Sequence, residues 1–384
     1  MEINAGQPAA RVEYPSDDGI TRVWNADTTP HLQEDRAYMD ILLILVVATV
    51  VVILIFDYTN GFHDASNMIA TVVASRAMTP IQAVILVGAF HFIGPVLGGT
   101  AVANTIGKFV DVSALDPITS MTIILCGLVG AIGWNLLTWW FGIPSSSSHA
   151  LVGGLAGAVV AAAGPAYVVW GFSQLADGRL TGVTKVLLSL IISPVIGFWA
   201  GFGIHRVMRF LVQGARPILN KYLRQFQWLS SAVLSFSHGA NDAQKSMGII
   251  TMVLLLGGYI QEFQVQLWVI LACAAMITLG TITGGWRIVR TVGFGIYKVR
   301  PLHAVDAQLT SGAVIFAASM VGAPVSTTHV VSSSIMGIGA SERPKAVRWN
   351  TAKEIVSTWV VTIPGSAIMA VITYLAVHVA TGAA

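Results

Sequence analysis

Charge is scarce in this chain. Asp, Glu, Lys and Arg make up only 10% of its 384 residues, against 55% hydrophobic residues and a mean hydropathy of +0.73. A soluble domain of this length needs more polar surface than that, so the composition excludes one. Cysteine is scarce too. Cys126 and Cys273 each lie in an apolar run without CxxC or Cys/His spacing, which excludes a disulfide framework and a thiolate zinc site. Residues 1–40 show neither the basic start nor the apolar core of a signal peptide. They carry eight acids against three bases without apolar periodicity, and read as a disordered acidic tail. What is present in abundance is long apolar runs, the mark of a polytopic membrane protein.

Apolar stretches fall near 41–57, 81–107, 119–141, 149–170, 183–205, 229–257, 264–285, 308–322, 325–340 and 354–379, which predicts about 8–10 full spans. Basic residues cluster without acids at 206–225 and 286–303, and outnumber them at 341–353. The positive-inside rule places all three segments in the cytoplasm and the acidic tail outside. Residues 303–341 must then enter and return on one side, as a re-entrant hairpin held within protein.

Three blocks recur in one order. NGFHDASNMIA (60–70) aligns with HGANDAQKSMG (238–248), GGTAVANTIG (98–107) with GGWRIVRTVG (284–293), and GIPSSSSHALVGG (142–154) with GAPVSTTHVVSSS (322–334). The charge distribution starts one copy outside and the other inside. The expected fold is therefore all-α, with two inverted-topology repeats, interrupted helices and re-entrant hairpins. Its parts are the tail (1–40), a first repeat (41–205), a basic cytoplasmic linker (206–228) and a second repeat (229–384). Secondary transporters are often built so, with the substrate site at the midplane between the halves.

The Pro-Ser blocks read as two helix starts. Pro144 and Pro324 each suit a first helical position. Ser145, Ser146, Ser147 and Ser148, with Ser326, Thr327 and Thr328, offer hydroxyls beside backbone N–H groups at the positive end of a helix dipole. One Ser-rich turn alone would be ordinary capping; two in an inverted repeat suggest a shared oxyanion site. Of the ten acids after residue 40, Asp64 and Asp242 are the pair in equivalent positions. An ionised side chain at the bilayer centre costs roughly 2.5–3.5 kcal/mol on insertion scales, so such acids are retained for a cation, a proton or a partner. Asn67, Asn241 and Gln244 add amide oxygens for a cation or donors for a substrate. Lys245 stands where the first repeat has Asn67, as a fixed charge in place of a bound cation or as a partner of Asp242. His63, with His149, His238 and His329, could carry protons. Asp57 is a pathway candidate without a matched partner. Metal ligands are not identifiable from the sequence.

These residues resemble the inorganic phosphate transporter (PiT) family, whose members carry a duplicated GANDxAN-type block and a duplicated GxPxSSSH-type block. The variants here, with His63 in place of Asn, the QK after Asp242 and FGIPSSSSH, look closest to bacterial low-affinity phosphate permeases. The resemblance spans roughly residues 40–380. It implies a symporter importing inorganic phosphate across the cytoplasmic (inner) membrane, with protons or sodium as coupling ion. It also implies a neutral metal–phosphate complex as one transported form, with divalent metal co-transported. Sodium-coupled relatives carry an acid about where His91 stands, and Lys245 replaces an amide, so proton coupling is expected. The alternatives are a sodium-coupled phosphate symporter and a sulfate permease. Carboxylates favour phosphate over sulfate, because phosphate is protonated near neutral pH and can donate to them. No cofactor and no nucleic acid is expected; the bilayer and a homodimer partner are. An enzyme is not expected, since a triad needs one nucleophile, one base and one orienting group, and here every element is doubled.

Overall fold

In the computed structural model, residues 11–15, 21–25, 30–108, 110, 112, 114–175 and 177–382 are described. Within the stretch expected to be disordered, β1 (Arg11–Pro15) pairs antiparallel with β2 (Thr21–Asn25), Arg11 opposite Asn25 and Pro15 opposite Thr21. Valine, tyrosine, threonine and tryptophan make both segments good strand formers. The tail also ends earlier than expected, because α1 (Pro30–Ala74) begins eleven residues before the apolar run at 41.

After α1 the chain continues through α2 (Pro80–Leu97), α3 (Ala101–Ile106), α4 (Pro117–Trp140), α5 (Ser147–Ala162), α6 (Phe172–Leu175) and α7 (Gly182–Leu211). The second half follows with α8 (Leu219–Leu256), α9 (Leu267–Thr283), α10 (Trp286–Arg290), α11 (Pro301–Met320), α12 (Thr327–Glu342) and α13 (Trp349–Thr381). Several starts are written in the sequence. Thr79 accepts from the Gln82 N–H ahead of Pro80, and Asp116 accepts from the Thr119 N–H ahead of Pro117.

By length and apolarity alone, α1, α2, α4, α7 and α13 qualify as membrane spans, and a sixth if α9 and α10, bent by 60°, form one. That is fewer than the 8–10 expected from apolar stretches. The difference has a physical cause. The 38-residue α8 is long enough to cross but carries the second Asp block, and α11 carries His303, Asp306 and Gln308. Their polar residues are buried inside the protein rather than exposed to lipid. Outward faces are apolar instead: Trp199 on α7 is 63% exposed and Val360 on α13 is 71% exposed.

Interruption occurs where glycines pair, not at the aspartates. The helices run unbroken through both Asp blocks, whereas Gly98–Gly99 separates α2 from α3 and Gly284–Gly285 separates α9 from α10. The linker shrinks as well. Expected over 206–228, it is reduced to 212–218, since α7 runs to Leu211 and α8 starts at Leu219.

The two repeats are interleaved rather than side by side. α1 packs on α9 as α8 packs on α2, and α12 packs on α7 as α5 packs on α13. Glycines shared by the Asp blocks allow the first pairing. A Cβ at Gly61 would lie 1.9 Å from the Ile277 carbonyl oxygen, and one at Gly239 would lie 2.4 Å from that of His91. α4–α5 and α11–α12 form the two hairpins. Glu342, at the end of α12, meets Tyr297, Arg300 and His303 at the start of α11, so that hairpin returns to where it entered. This is the geometry expected of the re-entrant segment.

Candidate functional site

The two Pro-Ser turns are capped identically. Ser146 accepts from the His149 N–H at 3.2 Å, and Ser326 accepts from the His329 N–H at 3.3 Å. Helices therefore begin at Ser147 and Thr327, with Pro144 and Pro324 two residues before the caps rather than at the first helical position. The prolines shape the approach to each helix. Capping also occupies the hydroxyls of Ser146 and Ser326, leaving the residues that follow to face the centre.

Those residues converge on Asp64, which is 1% exposed. Ser147 of one hairpin and Thr327 of the other both donate to Asp64 Oδ2, at 3.3 and 3.4 Å. Thr328 donates to Asp64 Oδ1 at 3.1 Å and accepts from Asn67 at 3.0 Å. His63 Nδ1 lies 3.0 Å from Asp64 Oδ1, and its Nε2 lies 3.2 Å from the Ser145 hydroxyl. Thr327 also donates to Asp242 Oδ2 at 3.1 Å, so one threonine bridges the two matched carboxylates. Asp242 is ion-paired with Lys245. Lys245 donates further to Ser148 Oγ at 2.6 Å and to the Val325 carbonyl at 3.3 Å. Snorkelling is ruled out, because Lys245 is 1% exposed.

Most of the predicted residues are thus brought together: Asp64, Asp242, Lys245, Asn67, His63, Ser145, Ser147, Ser148, Thr327 and Thr328 form one buried network. Besides the capping Ser146 and Ser326, two more are engaged differently. Gln244 Oε1 accepts from the Val102 and Ala103 N–H groups at 2.7 and 3.4 Å, capping α3. Asn241 donates to Ser319 Oγ at 2.9 Å and to the Ala323 carbonyl at 3.3 Å, fastening α8 to the second hairpin. Asn67 Oδ1 and Asn241 Oδ1 are buried without a protein partner. Two free amide oxygens near carboxylates suit a hard cation or a donating ligand. Asp57 accepts from Ser246 at 2.5 Å, and the Cys273 thiol lies beside it.

Sequence reasoning missed several partners. Thr138 bridges toward Ser145 at 2.8 Å, and Thr281 holds His91 Nδ1 at 2.8 Å. His91 Nε2 lies 3.2 Å from His238 Nδ1, which lies 3.5 Å from Asp242 Oδ2. The imidazole pair was half legible, since His91 stands where some relatives have an acid. His149 and His329, matched in the repeats, pack against each other with ring centroids 4.5 Å apart and planes tilted by 35°. Neither contacts either carboxylate through a hydrogen bond among the described residues.

The Gly-Gly blocks acquire a role through a second matched pair. Thr105 donates to the Gly322 carbonyl at 2.7 Å, and Thr291 donates to the Gly142 carbonyl at 2.9 Å. Each threonine belongs to one repeat and each glycine to the hairpin tip of the other. Gly142 and Gly322 have φ of +68° and +65°, a left-handed turn that a Cβ would strain. Lys185 donates to Thr105 Oγ1 at 3.1 Å on one side. On the other, Arg287 donates to the Trp140 carbonyl at 2.7 Å and sits 4.7 Å from the Trp140 ring.

Comparison with known proteins agrees with this plan. The phosphate transporter family matches residues 60–221 and again 213–370, once per repeat. A Bacillus subtilis protein named "Probable low-affinity inorganic phosphate transporter" is 45% identical over 88% of this chain and 98% of its own. A Rhizobium meliloti protein of the same name is 42% identical over 86% and 96%. A solved structure titled "The sodium-dependent phosphate transporter" superposes with a TM-score of 0.76 at 23% identity, covering 88% of this chain and 99% of that one. The fold is shared with that structure, and the chain, a multi-pass membrane protein, belongs to the phosphate transporter family, a family of transporters and not of enzymes.

Proposed function

We propose that this protein is a proton-coupled symporter that imports inorganic phosphate through the network around Asp64 and Asp242. The observation that carries the reading is the convergence of Ser147 and Thr327, from opposite hairpins, on one oxygen of Asp64. A carboxylate held by hydroxyls at two helix starts occupies the kind of place an oxyanion would take. Counting the carboxylates and the ammonium, Asp64 and Asp242 against Lys245 leave the centre one negative charge in excess. Like charges 4 Å apart repel by about 4 kcal/mol at an effective dielectric of 20. An incoming phosphate therefore favours a proton on Asp64. A proton on Oδ2 also frees Ser147 and Thr327 from that acceptor, while Oδ1 still accepts from Thr328, so the same step that removes repulsion supplies two donors. Binding of proton and phosphate is linked by geometry.

Transport needs the site to open to one side at a time. The Thr105–Gly322 and Thr291–Gly142 bonds tie each hairpin tip to the opposite repeat, and breaking them in alternation would expose the centre alternately. The basic segments at the ends of α7, α10 and α12 support a cytoplasmic position for that side, with α1's N-terminus outside, in the inner membrane. Sodium coupling is the second reading. Its support is the free oxygens of Asn67 and Asn241, together with the sodium dependence in the structural neighbour's title.

Uptake of labelled phosphate into proteoliposomes tests the proposal, with proton and sodium gradients imposed separately and sulfate as competitor. Accumulation driven by the proton gradient without sodium, and resistant to sulfate, is the expected result. Uptake that is flat with pH and steep with sodium would favour the second reading. Sulfate uptake at equal rate would overturn the substrate.

A further inference from the structure

A second polar cluster lies away from the Asp64 network, where α7 meets the base of the α11–α12 hairpin. His205 of α7 is 1% exposed, His303 of α11 is 4% exposed, and Glu342 ends α12. One ligand-type atom from each lies within 4.8 Å of the others. His205 Nε2 is 3.9 Å from Glu342 Oε2, and His303 Nε2 contacts that same oxygen. Among the described residues His205 Nε2 has no hydrogen-bond partner, although it is buried. Its other nitrogen explains the orientation: Nδ1 lies 2.7 Å from Asp306 Oδ2, and donating to that carboxylate fixes the tautomer with a bare lone pair on Nε2. A carboxylate behind an imidazole, turning its free nitrogen toward a shared point, is how metal-binding histidines are commonly held.

We propose that His205, His303 and Glu342 bind one divalent transition-metal ion of the zinc class, with Asp306 orienting His205. Two imidazoles and a carboxylate are a common zinc set, with a fourth position left for water. Tetrahedral zinc–nitrogen and zinc–oxygen bonds of about 2.0–2.2 Å need ligand atoms closer together than the 3.9 Å separation, a contraction within reach of side-chain rotation. His303 must also change its proton. Its Nδ1 accepts from the Arg300 N–H at 3.2 Å, so in the metal-free form Nε2 carries the hydrogen and donates it to Glu342. Metal binding moves that hydrogen to Nδ1 and gives up both bonds, the one donated to Glu342, which the metal replaces, and the one accepted from the Arg300 N–H. Arg300 Nη1, 3.7 Å from Glu342 Oε1, must swing aside; its side chain is 62% exposed and free to do so. Arg300 beside Glu342 adds positive charge that weakens the hold on a dication.

The cluster is not part of the duplicated plan. Aligning Pro144 with Pro324 puts Ile123, Cys126 and Ala162 at the positions of His303, Asp306 and Glu342. The first hairpin therefore has no counterpart, and the cluster is independent of the substrate centre and of what the carrier moves. A ligated ion here would join α7 to both arms of the second hairpin, and so hold the hairpin base shut.

Cobalt(II) is the probe, because tetrahedral ligation by nitrogen and oxygen produces a visible absorption band. Chelator-treated full-length protein in detergent should take up one equivalent with that band, and zinc should displace it. His205→Asn keeps a donor for Asp306 but removes the ligand atom, and should lose the band. Glu342→Gln should weaken cobalt binding at least tenfold. Both are checked for a monodisperse size-exclusion profile, and should His205→Asn fail it, Glu342→Gln decides. Asp64→Asn should bind as wild type, which separates this site from the central Asp64, His238 and Asp242 group. No band in wild type, a band that persists in a folded variant, or a band lost in Asp64→Asn would each overturn the proposal.

Discussion

Asp64 and Asp242 hold equivalent positions in the two repeats, yet they live in different company. Asp242 has a permanent cation, Lys245, three residues on, whereas Asp64 has only hydroxyls, an amide-bound threonine and an imidazole. The first is neutralised within its own helix; in the proposed mechanism the second is neutralised by the coupling proton. An inverted duplication thus supplies two matching scaffolds, and one substitution, lysine for asparagine, divides their labour. The threonine latches teach the opposite lesson. There the two copies keep the same bond, at 2.7 and 2.9 Å, while the cations beside them differ.

The largest effect is expected from breaking the neutral pair. Asp242→Asn leaves Lys245 buried without its counter-charge, a loss of about 3–5 kcal/mol of stability by analogy with other broken buried pairs. Thermal unfolding in detergent should fall well below wild type. The double change Asp242→Asn with Lys245→Asn should recover most of that fall, because no unpaired charge remains. Asp64→Asn should cost far less, since an amide can still accept from the threonines. Equal losses for the two single variants would erase the proposed asymmetry.

The latches come next. Thr105→Ala and Thr291→Ala each remove one hydrogen bond, worth about 1 kcal/mol, or roughly a fivefold shift in a two-state balance. If the bonds close opposite faces, the two variants should shift accessibility in opposite directions. Labelling of single cysteines introduced on either face would show it, and shifts in the same direction would refute the pairing of latch and face. Smallest is the effect of Arg287→Gln. It removes an exposed cation from the Trp140 ring, worth about 0.5–1 kcal/mol, and should mimic Thr291→Ala weakly in the same assay.

Much of this was legible in the sequence because it is written twice. The Asp blocks, the Pro-Ser turns and the shared glycines were found by alignment of the chain with itself, and each proved to be a contact between repeats. Gly61 and Gly239 recur because two helices cross there without room for a Cβ. What occurs once was harder to read. His205, His303, Asp306 and Glu342 lie on three helices and meet only after folding, with no repeat to mark them. Gln244 misled for a related reason: it sits in the motif, but the N-terminus of α3 reaches it first. Fewer helices pass a test of length and apolarity than the apolar stretches suggested, because polar side chains lower the hydropathy of helices such as α8. Only packing decides whether a polar helix such as α8 is sheltered.

The central claim is that the proton and phosphate share Asp64. Calorimetry of phosphate binding to the purified protein, in buffers of differing ionisation enthalpy, measures proton uptake on binding. Wild type should take up close to one proton per phosphate as pH rises above neutrality. Asp64→Asn should still bind phosphate, with that uptake gone and the pH dependence flattened. An Asp64→Asn protein that takes up the same proton, or that no longer binds phosphate while remaining folded, would contradict the account.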